Sequence, residues 1–277
     1  MKVIVLGSAA AEAIPNPFCR CAICQTARQE QGPEMRGRSA VLINDDLLID
    51  LGPDLVSAAN RFSLYLGNVQ TLLITHRHSD HWLPDNLHWR QPGFAATPVA
   101  PLTVYGPNDA LCDLEPYLER GVPLDIKPVH AGDRWTAGRY QVMAIPATHG
   151  GGTLEPLLYV VDDGTTRLFY ATDTSTLSPQ AWDLLRPWGP FDLIFLEATS
   201  GLRDGGSGHH GFEKFVQTRA QMLKEGLLTA DTMLVAHHFS HNGGLTHRAL
   251  VEKFAPLETT VAHDGLVLTP GNQKREH

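Results

Sequence analysis

The segment that follows the apolar run 71–75 (TLLIT) constrains the fold of this chain more than any other part of the sequence. A short apolar run of this kind predicts a fully buried strand. The six residues directly after it, His76-Arg-His-Ser-Asp-His81, contain three imidazoles and one carboxylate. If the chain bends there, His76 and His78 can face one metal ion while Asp80 and His81 face a neighbouring one. The sequence therefore predicts a buried strand that ends at a metal site.

Three more candidate ligands follow predicted strands elsewhere in the chain. They are His149 after the strand 140–145, Asp173 after 167–171, and His238 after 232–236. A single histidine at a strand end is more often a hydrogen-bonded structural residue than a metal ligand. The joint occurrence of these residues with the segment 76–81 instead predicts a dinuclear site, in which Asp173 is the one candidate well suited to bridge two cations.

Composition and charge narrow the class of protein. Apolar residues make up 43% of the 277 residues, which is enough for a large core and excludes a disordered chain. The net charge is −8, from 22 Lys and Arg against 30 Asp and Glu, and this acidity disfavours a nucleic-acid partner. No apolar run reaches the ~18 residues that span a bilayer, and no basic leader precedes a long apolar stretch. We therefore expect a soluble, cytoplasmic protein with no membrane partner.

Apolar runs of strand length alternate with segments of helical spacing, and this alternation predicts an α/β architecture. No linker of distinct composition divides the chain, so we expect a single domain over residues 1–277. The predicted strands cover 2–7, 38–43, 47–51, 71–75, 102–105, 140–145, 157–161, 167–171, 192–196, 232–236 and 265–268. The predicted helices cover 53–62, 107–119, 179–185, 212–225 and 246–254.

The cysteines form a cluster rather than a disulfide framework. Cys19, Cys21 and Cys24 fall within one six-residue stretch, and in a reducing compartment such a cluster favours a metal site. Structural zinc takes four ligands, so three thiolates require one more ligand, commonly a histidine, from elsewhere in the chain. The alternative is a set of free thiols, or a redox pair, in a surface loop. We expect a structural zinc loop at residues 16–28.

The pattern H-x-H-x-D-H after an apolar strand, with a downstream His, Asp and last His, resembles the metal signature of the metallo-β-lactamase fold. The resemblance covers nearly the whole chain. It implies an α/β protein built as a four-layer αββα sandwich, with the metal site at one end of the two sheets. By this resemblance His76, His78 and His149 would hold one metal, Asp80, His81 and His238 would hold the other, Asp173 would bridge them, and Asp50 would orient a ligand.

Within that fold, the sequence is similar to the PhnP-type phosphodiesterase branch. That branch carries a C-x-C-x-x-C cluster near its N-terminus and a last motif that matches His238-Phe-Ser-His241. The resemblance implies that His241 is the fourth ligand of the structural zinc. It also implies a catalytic-loop histidine, which maps onto His210, although the adjacent His209 leaves the register open.

The implied function is that of a dinuclear metal-dependent hydrolase. Its partner would be a small phosphodiester substrate, such as a cyclic sugar or nucleotide phosphate. Two divalent catalytic metals (Zn, Mn or Fe) would lower the pKa of bound water towards about 7 and so supply a hydroxide nucleophile. His210 would protonate the leaving alkoxide, and Glu197 would orient His210. Asp80 would take part in catalysis as a metal ligand. The resemblance is compatible with a homodimer and does not decide the oligomeric state.

Two sibling families offer alternatives. Glu197-Ala-Thr, followed by a glycine-rich loop and His210, is also similar to the RNase Z endonucleases, but no basic arm for gripping tRNA is apparent in the sequence. The N-terminal Val5-Leu-Gly-Ser-Ala-Ala with the cysteine cluster is similar to PqqB, a protein of quinone-cofactor biosynthesis. PqqB typically lacks the full H-x-H-x-D-H set, which this chain retains. A PqqB-like biosynthetic or metal-binding protein without phosphodiesterase activity is therefore the second hypothesis.

Overall fold

The apolar runs of the sequence form two seven-stranded mixed sheets in the computed structural model, which describes residues 1–206 and 208–271. Residues 207 and 272–277 of the predicted domain lie outside the described residues. The strands of the first sheet are β1 (Val3–Gly7), β2 (Ala40–Ile43), β3 (Leu47–Ile49), β4 (Thr71–Leu73), β5 (Leu102–Gly106), β6 (Leu124–Pro128) and β14 (Val267–Leu268). The strands of the second sheet are β7 (Arg134–Ala137), β8 (Tyr140–Pro146), β9 (Leu157–Asp162), β10 (Arg167–Ala171), β11 (Leu193–Glu197), β12 (Met233–His237) and β13 (Thr259–Val261).

Each sheet combines antiparallel and parallel strand pairs. The first has the order β14-β1-β2-β3-β4-β5-β6, antiparallel as far as β3 and parallel from β3 to β6. The second has the order β13-β12-β11-β10-β9-β8-β7, parallel as far as β10 and antiparallel from β10 to β7. The carboxyl ends of parallel neighbours meet at one edge of a sheet, where open α/β sheets place their ligand sites. The loops after β3 and β4 therefore lie side by side, as do those after β10, β11 and β12.

The strands β1 to β4 of the first sheet are buried on both faces. In β2, Val41 and Ile43 belong to the core cluster that includes the second sheet, whereas Leu42 belongs to a separate outer cluster. This alternation follows from the pleat, which points successive side chains to opposite faces. It explains why these strands are continuously apolar in sequence.

Helices cover the outer face of each sheet. The α-helices are α1 (Ala22–Glu30), α2 (Leu55–Arg61), α3 (Asn108–Leu111), α4 (Glu115–Glu119), α5 (Pro179–Leu185), α6 (Phe212–Lys224) and α7 (His247–Phe254). Short 3-10 helices lie at Gly32–Glu34, Leu66–Asn68, Pro84–Arg90, Cys112–Leu114, Arg186–Trp188, His241–Gly243 and Ala255–Leu257. Residues of α2, α3 and α4 pack in the outer cluster of the first sheet, and residues of α5, α6 and α7 pack against the second. The predicted four-layer αββα sandwich is confirmed.

Some elements differ from the sequence prediction for identifiable reasons. The predicted helix 107–119 is divided into α3, a 3-10 turn and α4, because Pro116 stands in the first turn of α4 and provides no N–H to a preceding turn. The strand β6 was not predicted, since it is a half-exposed edge strand in which Asp125 and Lys127 interrupt the apolar pattern. In the described part of the chain, no helix has the length and apolar character that a bilayer crossing requires.

Candidate metal centre

Several of the predicted site residues lie directly after strands, in sharp turns of the backbone. Asp50, Asp173 and His238 all take positive φ values, of 68°, 50° and 61°. A non-glycine residue in this left-handed region costs roughly 1–2 kcal/mol, and such residues concentrate at functional sites. Here the turn points each side chain away from its strand, towards the region where the loops of the two sheets meet.

Three histidines converge at one end of this space. His76 Nε2 lies 2.9 Å from His78 Nδ1, which lies 3.1 Å from His149 Nε2. Burial lowers the pKa of both His76 and His78, and neighbouring imidazoles lower it further, so these rings are held neutral. Neutral imidazole is the form that binds a metal. The structure thus brings together the three residues predicted to hold the first metal.

A second group adjoins the first. His81 Nε2 lies 3.2 Å from an Asp80 carboxylate oxygen and 3.3 Å from His238 Nε2. Asp80, His81, Asp173 and His238 are all buried and place their ligand atoms within 4.8 Å of one another. These are the residues predicted to hold the second metal, with Asp173 included.

Asp173 is the residue that the two groups share. Its Oδ2 lies 3.3 Å from His76 Nε2 and 2.7 Å from His81 Nε2, so one oxygen faces both groups. Burial raises the pKa of Asp173, but the adjacent His238 and His81 outweigh it and hold the pKa well below its usual range. Asp173 is therefore ionised, as a bridging ligand must be. Its other oxygen, Oδ1, is buried without a hydrogen-bond partner among the described residues.

Outer residues orient the ligands. Asp50 Oδ2 lies 2.7 Å from His81 Nδ1, and this contact turns His81 Nε2 towards Asp80 and Asp173. Asp50 is fixed in turn by the backbone N–H of Thr75, which donates to Oδ1 at 2.8 Å. Carboxylates in this position fix the ring orientation and raise the basicity of a metal-binding histidine. The structure places Asp50 where the resemblance implied.

Two threonines also orient histidine ligands, and neither was identified from the sequence. Thr75 Oγ1 lies 3.0 Å from His76 Nδ1, and Thr199 Oγ1 lies 2.8 Å from His238 Nδ1. Thr199 also donates to the buried carboxylate of Glu197. The available signal was position: Thr75 immediately precedes the first ligand, and Thr199 follows Glu197 by two residues at a parallel strand end.

The two adjacent histidines of the glycine-rich loop have opposite surroundings. His209 is 30% exposed, and its Nδ1 lies 3.2 Å from Glu197 Oε1 and 3.5 Å from Asp173 Oδ1. Burial lowers the pKa of His209, but the hydrogen bond and charge of Glu197 outweigh this and raise the pKa to about 9. His209 thus lies at the edge of the metal centre with its Nδ1 against the Glu197 carboxylate.

His210 does not face the metal centre, and its predicted placement needs correction. Its ring is fully buried, with Nδ1 2.8 Å from the Thr174 carbonyl and Nε2 2.9 Å from Thr218 Oγ1. Both ring nitrogens are thereby used, Nδ1 on the segment after β10 and Nε2 on α6. The sequence could not decide between the two, because alternate residues of an extended segment point in opposite directions.

The metal centre opens into a cavity of about 440 Å³. Ligand side chains form its floor, and loop residues after β1, β11 and β12 form its walls. The lining includes His78, Asp80, His149, Asp173, His209, His238, Glu12, Arg203 and Asn242. This volume is in the range of small-molecule sites.

The cysteine cluster meets His241 as implied. His241 Nδ1 lies 3.5 Å from Cys21 Sγ and 3.8 Å from Cys19 Sγ, and Cys24 completes the group. A tetrahedral zinc with Zn–S of about 2.3 Å and Zn–N of about 2.05 Å separates N from S by about 3.5 Å, so the group fits zinc. Burial raises the pKa of Cys21, but hydrogen bonds from the Cys24 amide and His241 outweigh it and lower the pKa to about 6. Cys21 is therefore a thiolate at neutral pH.

Comparison with known proteins finds the same fold in solved structures. Among solved structures, the chain is similar to a diphosphatase from the PhnP family, with 22% identity, 96% of each chain covered and a TM-score of 0.74. It is similar to the human tRNase Z short form at 20% identity, a TM-score of 0.67, and coverage of 98% of this chain and 99% of that chain. Zn(2+)-bound PqqB from Methylobacterium extorquens shares 18% identity, with a TM-score of 0.66 and coverage of 97% and 100%. No curated protein sequence matches the chain.

Residues 46–238 match the family model of the beta-lactamase superfamily domain. The matched range is well over half of the chain and contains both groups of the metal centre. At identities of 18–22%, the solved structures establish the fold. Together these findings show that the chain belongs to the beta-lactamase superfamily and has the metallo-β-lactamase hydrolase fold.

Proposed function

We propose that this protein is a dinuclear metal-dependent hydrolase that cleaves a small phosphodiester. One observation carries the proposal: two ligand groups share the Oδ2 atom of Asp173 on the floor of a single open cavity. A single group of ligands would hold one ion rather than two, and groups sealed from solvent could not offer their metals to a substrate.

The residues present fit divalent metals. His76, His78 and His149 would hold one ion, Asp80, His81 and His238 the other, and Asp173 both. Imidazole and carboxylate donors suit Zn, Mn or Fe, whereas the three cysteines with His241 select Zn. Two divalent ions at this position would supply an activated water and a positive clamp for the phosphate oxygens. Asp80 and Asp173 offset only part of their charge, so an anionic substrate is attracted despite the net charge of −8.

His209 is the residue placed to protonate the leaving oxygen. It lies at the cavity edge, and the buried Glu197 holds its Nδ1 side, which leaves Nε2 free to face a substrate. Glu197 is itself fixed by the Thr174 N–H, which donates to Oε1 at 2.8 Å. This arrangement assigns to His209 the role that the sequence had assigned to His210, and keeps Glu197 as the orienting carboxylate.

The cavity favours a small substrate over a nucleic acid. Its volume of about 440 Å³ accommodates a cyclic sugar or nucleotide phosphate. The acidic chain offers little attraction to an extended phosphate backbone. The name of the similar diphosphatase supports the hydrolysis of a phosphorus–oxygen bond by a protein of this fold.

A hydrolysis screen tests the proposal. Protein with measured metal content is incubated with bis-p-nitrophenyl phosphate, cyclic nucleotides and cyclic ribose phosphates, in Zn and in Mn. We expect turnover of at least one small phosphodiester, and its loss in Asp80→Ala. Inactivity towards all of them, in protein that holds both catalytic metals, would instead favour the PqqB-like alternative.

A further inference from the structure

One acidic residue connects the cysteine cluster with the wall of the catalytic cavity. Glu12 lies in the loop after β1, and it lines the cavity with a side chain that is 23% exposed. This loop runs along the segment after β12: the Ala10 N–H donates to the Phe239 carbonyl at 2.9 Å. Glu12 is thereby held opposite the residues that separate the two proposed metal sites.

A single carboxylate oxygen of Glu12 contacts three consecutive residues of that segment. The Ser240 hydroxyl donates to Oε1, Asn242 Nδ2 donates to it at 3.3 Å, and His241 Nε2 lies 3.6 Å away. The first two contacts fix the carboxylate in place. The third separation exceeds hydrogen-bond length, so Glu12 faces His241 Nε2 without a direct hydrogen bond.

The two edges of the His241 ring have different surroundings. Nδ1 faces the sulfurs of Cys19 and Cys21, at 3.8 Å and 3.5 Å, whereas Nε2 faces Glu12. Only one nitrogen of a neutral imidazole carries a proton, and the other has the lone pair that binds a metal. A carboxylate next to Nε2 favours the proton there, which leaves Nδ1 free for the metal.

We propose that Glu12 is a positioning residue of the cysteine zinc site, which acts by holding the Nε2–H edge of His241. The inference rests on the zinc site proposed above. Loss of a carboxylate that hydrogen-bonds a metal-binding histidine costs about 10- to 100-fold in metal affinity, and the longer Glu12 contact places its expected effect at the lower end of that range. Since the same carboxylate lines the catalytic cavity, the zinc loop and the cavity share this residue.

Cobalt binding provides a test that does not depend on activity. Metal-free protein is titrated with Co²⁺ against a competing chelator. The thiolate-to-cobalt absorption reports the cysteine site alone, since the ligands of the catalytic centre are nitrogen and oxygen. Glu12→Ala should weaken binding at the thiolate site by about 10-fold, the lower end of the range for such partners. Cobalt binding at the nitrogen and oxygen sites should stay as in the wild type.

Two further variants make the result decisive. Glu12→Gln keeps an oxygen that can accept from Nε2–H, so its loss should be smaller than that of Glu12→Ala. Glu30→Ala removes an exposed carboxylate from α1, close in sequence to the cysteines, and should leave the thiolate absorption titration unchanged. If Glu12→Ala does not fold, as judged by circular dichroism, Glu12→Gln decides instead. Weaker cobalt binding than in the wild type at its thiolate site would support the role of Glu12, and wild-type affinity would overturn it.

The outcomes separate this inference from the zinc site itself. Wild-type affinity in Glu12→Ala would overturn the role of Glu12 and leave the zinc site standing, and equal losses in the two Glu12 variants would also overturn it. A wild-type protein without any thiolate-to-cobalt absorption would refute the zinc site and this inference together.

Discussion

Asp173 and its neighbours show how single residues decide this site. Asp173 takes φ 50° at the end of β10, is 2% exposed, and directs one oxygen at both ligand groups. The unfavourable backbone conformation is retained because the side chain must leave the strand at this angle. Removing the side chain therefore tests the bridging role directly.

We expect Asp173→Ala to abolish hydrolysis and to lower the catalytic metal content by half or more. Two cations that face each other would lose both their shared ligand and a compensating negative charge. Elemental analysis checks this, with Asp125→Ala, an exposed carboxylate on the edge strand β6, as the control. Three metals per chain in Asp173→Ala would contradict the bridging role.

His209 and His210 form a matched pair of adjacent residues. His209→Ala should keep the metal content and lower turnover by roughly 10²–10⁴-fold. The loss should shrink for p-nitrophenyl esters, whose leaving group needs little protonation. Steady-state kinetics on good and poor leaving groups, with metal content measured in parallel, provides the test.

His210→Ala should behave in the opposite way. It leaves the Thr174 carbonyl and Thr218 hydroxyl without their buried partner, at a cost of about 1–3 kcal/mol for each unsatisfied group. We expect a lower melting temperature and nearly full turnover per metal-loaded molecule. A larger loss of turnover in His210→Ala than in His209→Ala would return the proton donor to His210.

At the scale of elements, the site is built by strand ends and the loops after them. The segment after β12 carries both His238 and His241, with two residues between them. The zinc loop begins between β1 and α1, and Cys21 is the residue that caps α1: its sulfur accepts from the Cys24 N–H. A zinc there would tie the N-terminal loop to the segment that positions a catalytic ligand.

Cys21→Ser should lose one zinc per chain, lower the melting temperature and weaken activity without changing which substrates are accepted. The physical reason is that a structural metal contributes folding free energy through deprotonated, preorganised ligands. Metal analysis and thermal unfolding check the result, and Cys112→Ser, at an exposed cysteine outside the cluster, is the control. Full zinc content and wild-type stability in Cys21→Ser would show that the cluster is no zinc site.

At the scale of the whole molecule, buried charge links distant parts of the first sheet. Asp264 precedes β14, and it accepts from the Gly37 N–H at 2.6 Å and the Ser8 hydroxyl at 2.8 Å. Burial raises the pKa of Asp264 to about 6, although these hydrogen bonds and the Arg36 charge oppose it. A carboxyl whose folded pKa is raised binds its proton more tightly in the folded state, so it stabilises the fold most at low pH.

The contribution of Asp264 should therefore be fully present below about pH 4 and lost as the pH rises through about 6. Between pH 4.5 and 7.5, we expect the free energy of unfolding of the wild type to fall by about 2 kcal/mol relative to Asp264→Asn. Urea unfolding of both proteins across this range measures the difference, and other titrating groups cancel in the comparison. A constant difference would contradict the raised pKa.

The sequence by itself predicted the architecture, which the structure confirms, and the residues that the structure brings together as candidate metal ligands. The apolar runs are long enough and regular enough to specify buried strands, and the α/β order follows from their alternation with helical segments. The candidate ligands of the catalytic centre were identifiable because His and Asp cluster directly after those strands. Polar side chains at these positions do not contribute to the apolar core, so a functional role is the simpler explanation for them. The segment 76–81 alone supplies four of them.

Only the tertiary structure decided what depends on side-chain direction and on contacts between distant segments. His209 and His210 are adjacent in sequence, and only the packing of their loop against α6 places one at the cavity and the other in the interior. Glu12 and His241 are 229 positions apart in the sequence, and no local pattern relates them. Periodicity reports which residues are buried, whereas the direction of a turn and the pairing of remote loops arise from the free energy of the whole packed chain.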